Sequence, residues 1–173
     1  MQEQDFPALY RSADDLSLKS QQHFFRALRV HLVTLVVAAI FSIVSIPHWS
    51  VAAAQLLALL GALGCSIYLF AMRPERFWYA GRAVAESIKT ITWRYVCRAE
   101  PFQGDDANAH NDFRQTLKQI VEQNREVCQA LTEHLDGQQF TPVMEQMRAR
   151  TLEERRATYA DHRIKDQLTW YAK

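Results

Sequence analysis

Val30–Ile46 reads VHLVTLVVAAIFSIVSI and Val51–Met72 reads VAAAQLLALLGALGCSIYLFAM, and these two runs decide the fold. Between Arg29 and Arg73 there is no Asp, Glu, Lys or Arg. A helix needs about 20 apolar residues, at about 1.5 Å each, to cross a hydrocarbon core of about 30 Å. Both runs reach that length once Ala27 and Leu28 extend the first. Pro47-His48-Trp49-Ser50 separates them, with Pro47 breaking the helix and Trp49 suited to the headgroup level. A chain of 173 residues has too little other apolar surface to bury such a hairpin in a soluble core. The first run also starts too late, and lacks the small-residue cleavage site, for a signal peptide. The reading is an all-α membrane protein: a two-helix transmembrane hairpin over 27–72 (spans 27–46 and 51–72). An N-terminal helix over 1–26 and a helical region over 73–173 flank it.

Working outward, Lys19, Arg26 and Arg29 precede the first span, and Arg73, Arg76, Arg82 and Lys89 follow the second. The turn between the spans has no Lys or Arg. The positive-inside rule therefore places both termini in the cytoplasm and the turn outside. Phe77, Trp78 and Tyr79 stand where an inner-leaflet aromatic belt belongs.

The region after the spans reads as three helices. Phe77, Val84, Ile88, Ile91 and Tyr95 form one stripe on a helix reaching about Ala99, with Arg82, Glu86 and Lys89 spaced for ion pairing on another face. Pro101–Asn111 reads as a linker whose Asp and Asn residues cap the next helix. In that helix Phe113, Leu117, Ile120, Val127, Leu131 and Leu135 continue a stripe to Gly137, with Asn124 as its polar member. Thr141-Pro142 opens a third helix as N-cap and first residue. From Glu145 to Asp166 its mixed charges read as a solvated face with side-by-side ion pairs.

Composition excludes several functions. A formal net charge of +1 argues against a nucleic-acid partner. The widely spaced Cys65, Cys97 and Cys128 make neither a disulfide framework nor a zinc site. GxSxG, GxxxxGK[ST], GxGxxG and HExxH are all absent, and the six histidines share no ligand spacing with one another or with the cysteines. No catalytic residue, cofactor site or metal site is expected, and the chain reads as not an enzyme. A transporter would place charged coupling groups inside its spans, and these spans have none. His31 reads as an interfacial or packed residue, with a proton-sensitive group as the alternative.

The spans carry one pattern. Thr34, Ala38, Ser42 and Ser45 make a small, weakly polar stripe on the first, and Ala54, Ala58, Gly61, Ala62 and Cys65 a small-residue seam on the second. Such residues let helices approach closely, and hydroxyls bond across or back to the backbone. The other reading is that Thr34, Ser42 and Ser45 line a pore. Two helices enclose no conduit, so that reading requires a homo-oligomer.

Three blocks resemble a known family. Phe6-Pro7-Ala8-Leu9-Tyr10-Arg11-Ser12-Ala13-Asp14 with Ser17-Leu18-Lys19-Ser20-Gln21 is similar to the opening of SLATT proteins, two-transmembrane effectors of bacterial conflict systems. Trp78-Tyr79, Arg82, Ala85-Glu86-Ser87, Lys89 and Thr92-Trp93-Arg94-Tyr95 resemble the family's post-membrane helix. Tyr159, Arg163, Asp166-Gln167 and Trp170-Tyr171 look like the segment leading into a second hairpin in tandem members. A tandem member would continue past Lys173, so the resemblance implies the N-terminal half of a longer protein. It also implies an oligomeric effector that perturbs or permeabilises the bacterial inner membrane in anti-phage defence. Its partners would be the lipid membrane, copies of itself, and a signalling nucleotide or sensor protein as trigger. The alternative is a non-enzymatic membrane scaffold that recruits a partner through its cytoplasmic helices.

Overall fold

The structure, a computed structural model, describes residues 1–43, 48–134 and 136–172, apart from the side chains of Asp166, Trp170 and Tyr171. Ser45, Pro47 and Leu135, each singled out above, lie outside the described residues. Among the described residues the chain is helical with no strand. It divides into a hairpin unit, Ser17–Tyr79, and a head unit, Met1–Leu16 with Ala80–Lys173.

In the hairpin unit the two runs form helices α1 (Ala8–Ile43) and α2 (Trp49–Met72). The segment over 1–26 is not a helix of its own. After a 3-10 turn at Glu3–Asp5, α1 starts at Ala8 and runs unbroken into the first span, since no Gly or Pro interrupts residues 8–43. His48 caps α2, its Nδ1 accepting from the Ser50 N–H at 3.3 Å. At the far end Arg73 adopts a left-handed conformation (φ 43°, ψ 52°) and donates its N–H to the Leu69 carbonyl. Pro74 then opens α3 (Pro74–Val96) at the position where a missing N–H costs nothing. Only 6% of the most apolar stretch of either long helix is buried, which leaves the sides facing outward apolar. Both are long and apolar enough to cross a membrane. Phe24, Phe25, Trp78 and Tyr79 cluster at the charged end of this unit, with ring centroids 4.6–6.0 Å apart between successive partners.

The head unit has an ordinary buried core. Val84, Ile88 and Tyr95 on α3 are at most 1% exposed, as their shared stripe requires. Tyr95 is ringed by Phe102, Phe113 and Phe140 at centroid distances of 4.9–6.0 Å. Phe6, Tyr10 and Ala13 join this core. Arg82 pairs with Glu86 at 3.0 Å along α3 and with Asp14 at 3.2 Å. Gly137 sits where backbone meets side chain closely: a Cβ there would lie 2.7 Å from Ala8 Cβ.

Three boundaries differ from the sequence reading. The linker ends sooner, because Asp105 accepts from the Asn108 N–H and starts α4 (Asp106–Gln123). That helix stops at Asn124 rather than running to Gly137. The Asn124 side-chain amide donates to the Ile120 carbonyl at 2.9 Å, sharing that acceptor with its own backbone N–H at 3.1 Å, and a short α5 (Arg125–Gln129) follows. Phe113, Leu117, Ile120, Val127 and Leu131 are nonetheless all buried. The third helix opens with Thr141 capping Met144 as expected, but it breaks into α6 (Pro142–Arg148) and α7 (Leu152–Tyr159). Thr151 restarts it through a capping box with Glu154. A π-helical turn, Ala160–Ile164, and α8 (Lys165–Tyr171) complete the chain.

Candidate functional site

The membrane-facing candidates come together across α1 and α2. Ala38 is 4% exposed and Ala62 is 3% exposed, the buried points among the described residues of the two spans. A Cβ on Gly61 would lie 3.6 Å from Thr34 Cγ2, so the glycine faces the threonine at ordinary contact distance. Ala54, Ala58 and Cys65 are half-buried and Cys65 is a free thiol. The hydroxyls turn back on their own helix: Thr34 Oγ1 donates toward the Val30 and His31 carbonyls at 3.0 and 2.8 Å, and Ser42 Oγ to the Ala38 carbonyl at 3.0 Å.

Two cross-helix contacts went unread in the sequence. Gln55 Nε2 donates to Ser42 Oγ at 2.7 Å. His31 Nδ1 lies 3.0 Å from the Ala62 carbonyl, a donor in the Nδ1–H tautomer. Gln55 had a signal, since it is the one carboxamide side chain between Arg29 and Arg73. Such a group in lipid needs a partner. Together these residues make a seam of small side chains with two polar cross-links. The seam can hold two helices close, and the Ser42–Gln55 end offers a polar face.

In the head unit the sequence reading missed Arg148. Taken as part of a solvated face, it is 1% exposed. Its guanidinium donates to Asp106 Oδ1 at 2.9 Å, the Tyr95 carbonyl at 2.7 Å and the Gly104 carbonyl at 3.3 Å. It also lies 4.7 Å above the Tyr95 ring. The Arg148 hydrogen bond, with Arg98 nearby, holds the Asp106 carboxyl below the usual carboxylate range. Tyr95 donates its hydroxyl to Glu145 at 2.9 Å, and burial ahead of that bond raises its ionisation above the ordinary tyrosine value. Each donor and acceptor here has a structural partner, so this network joins α3, α4 and α6 rather than presenting a reactive group. Among the described residues no three His, Cys, Asp or Glu side chains gather as a metal site would need.

An all-helical chain with two adjacent spanning helices and an appended helical head defines a two-transmembrane protein. The chain belongs to the SLATT family: residues 7–156 match the family described as SMODS and SLOG-associating 2TM effector domain 3. It is thus a membrane protein built on an effector domain. The first two resembling blocks fall within the match but for Phe6, and the third, beginning at Tyr159, lies beyond it. No curated protein and no solved structure matches the chain.

Proposed function

We propose that the protein is a non-enzymatic effector of bacterial anti-phage defence, which assembles as a homo-oligomer in the inner membrane and makes it leaky. The observation that carries this reading is the hairpin. It exposes almost all of its apolar side surface, and one hydroxyl- and amide-bearing edge, Thr34, Ser42 and Gln55, interrupts that surface. Membership of a two-transmembrane effector family supports it. Arg26, Arg29, Arg73 and Arg76 flank the spans at one end, which supports cytoplasmic termini. A signal reaching the head biases the spans between a closed and a leaky arrangement, which requires different affinities for the two states. The test is expression with native genomic neighbours and a membrane-potential dye before and after infection. Infection should depolarise cells carrying the wild type, and Thr34→Leu with Ser42→Leu should reduce that depolarisation at equal expression. Full depolarisation in the double variant removes α1 as a pore wall. An unaltered potential in the wild type favours the scaffold reading instead.

A further inference from the structure

Three contacts fix the register of α1 against the chain that returns beside it. Ser17 Oγ donates to the Trp78 carbonyl at 3.1 Å, His31 Nδ1 lies 3.0 Å from the Ala62 carbonyl, and Gln55 donates to Ser42 at 2.7 Å. In an antiparallel pair these contacts set Arg26 opposite Leu69 and Arg29 opposite Ser66. Arg29 thus lies about seven residues, roughly 10 Å, further into the apolar hairpin than Arg73, the basic residue that ends α2. Arg26 and Arg29 are both exposed. Phe25, Leu32 and Val33 share the side of α1 that carries Arg29, at i−4, i+3 and i+4, and are 43–56% exposed. Two guanidiniums one turn apart therefore stand on a side of α1 whose other members are apolar and open.

Charge and aromatic placement say what covers that side. Ser17–Tyr79 holds five Lys and Arg residues and one carboxylate, Glu75, which stands beyond Arg73 and not at the level of Arg29. The unit is therefore complementary to an anion at its charged end. Phe25 meets Trp78 at 5.4 Å and Trp78 stacks on Tyr79 at 4.6 Å, an aromatic edge of the kind that sits at headgroup level. Arg26 follows Phe25 directly, and Arg29 lies one turn further in. Helical side chains lean toward the N-terminus of their helix, which for α1 is toward this aromatic edge. A long basic side chain so placed keeps its stem along the hydrocarbon and its head at the lipid phosphates.

We propose that Arg26 and Arg29 hold the phosphodiester of one anionic phospholipid against α1. The two guanidinium forks take the phosphate oxygens, the acyl chains lie along Val30 and Val33, and the headgroup rests at the Trp78–Tyr79 edge. A zwitterionic lipid fits less well, because its own ammonium offsets the phosphate charge that the arginines require. The depth of Arg29 selects a lipid over a soluble anion, since the phosphate arrives there with its chains already in the hydrocarbon. The site goes beyond the leaky-assembly reading and stands without it, because lipid retention is measured in the absence of any leak.

The experiment adds phosphatidylglycerol or phosphatidylcholine to the full chain in neutral detergent and counts the retained lipids by native mass spectrometry. Phosphatidylglycerol should be retained at about tenfold lower mole fraction than phosphatidylcholine. Arg26→Gln with Arg29→Gln, both at exposed positions, should remove that preference. Arg29→Lys alone should keep part of it, since an ammonium retains the charge without the fork. Arg73→Gln with Arg76→Gln subtracts the same charge from the same end and should leave most of the preference. Equal losses in the two double variants assign the preference to diffuse surface attraction and overturn the site. Glycerol 1-phosphate, the headgroup chemistry without chains, should not displace the lipid, and displacement at matched concentration overturns the lipid assignment in favour of a soluble anion. A lower particle mass for Arg26→Gln with Arg29→Gln in either lipid sets the two arginines against a neighbouring copy and overturns the proposal. Equal retention of both lipids by the wild type overturns it as well.

Discussion

The hairpin unit and the head unit are both helical, yet they store their specificity differently. In the hairpin a residue's identity already says where it belongs: large apolar side chains such as Leu57, Ile43 and Phe70 are 69–81% exposed, and small ones such as Ala38 and Ala62 are buried. That inverts the head, where Phe102, Phe113 and Ile88 are at most 1% exposed. The inversion follows from the solvent. With lipid as apolar as leucine, large side chains gain nothing by hiding from it, and close backbone approach decides the interface. In water the same side chains contribute about 1.5–3 kcal/mol each on burial. The head must then fit polar groups around its core, and it does so through single residues brought together from distant parts of the chain.

Arg148 offers the hardest test of that contrast. Arg148→Met removes a buried cation together with its bonds to Asp106 and to the Tyr95 and Gly104 carbonyls, and should destabilise the head by about 3–5 kcal/mol. Arg148→Lys should recover little, since an ammonium lacks the fork that reaches three acceptors. A shift below about 0.5 kcal/mol in thermal unfolding would return Arg148 to the solvated face. The same ion pair sets an acid limit. Asp106 is held below its ordinary value, so its contribution is present above the unfolded carboxylate pKa of about 3.9 and is lost as pH falls through the lower folded value.

Arg148 also marks where sequence reasoning stopped. The spans and the α3 stripe were legible because each depends on local periodicity or on a run of one character. The α4 stripe was legible even though the helix breaks at Asn124, because the short α5 keeps Val127 on the buried side. Between Glu145 and Asp166, by contrast, charge density concealed Arg148, which turns into the core. A charged residue's burial depends on acceptors such as the Tyr95 and Gly104 carbonyls, which lie 53 and 44 positions away. No local pattern encodes those.

The seam in the hairpin should respond more mildly and in a graded way. Gly61→Ala adds a Cβ at 3.6 Å from Thr34 Cγ2, an ordinary contact, and should be nearly neutral. Gly61→Leu cannot enter that space without separating α1 and α2, and should cost about 1–3 kcal/mol of hairpin stability. Unfolding in mixed micelles, with both variants at matched detergent, separates the two cases. An equal, negligible effect of Ala and Leu would mean that Gly61 faces lipid.

The smallest effect concerns the Gln55–Ser42 bond, and its sign pattern is more informative than its size. Interhelical hydrogen bonds in membrane proteins average about 0.6 kcal/mol. Removing one partner strands the other, whereas an apolar replacement of the amide leaves no donor to satisfy. Ser42→Ala keeps the Gln55 amide and takes away its acceptor at 2.7 Å, so it should cost more than Gln55→Leu. Ser42 Oγ also donates to the Ala38 carbonyl, but that oxygen keeps its place in the α1 ladder, so its loss adds little. A double-mutant cycle on hairpin unfolding in micelles measures the coupling, expected near the membrane average. If Gln55→Leu proves the costlier change, by more than about 2 kcal/mol, Gln55 has a second partner beyond Ser42. A concentration-dependent loss would then locate that partner on a neighbouring copy, and would move the polar edge of the hairpin from an internal cross-link to the assembly interface.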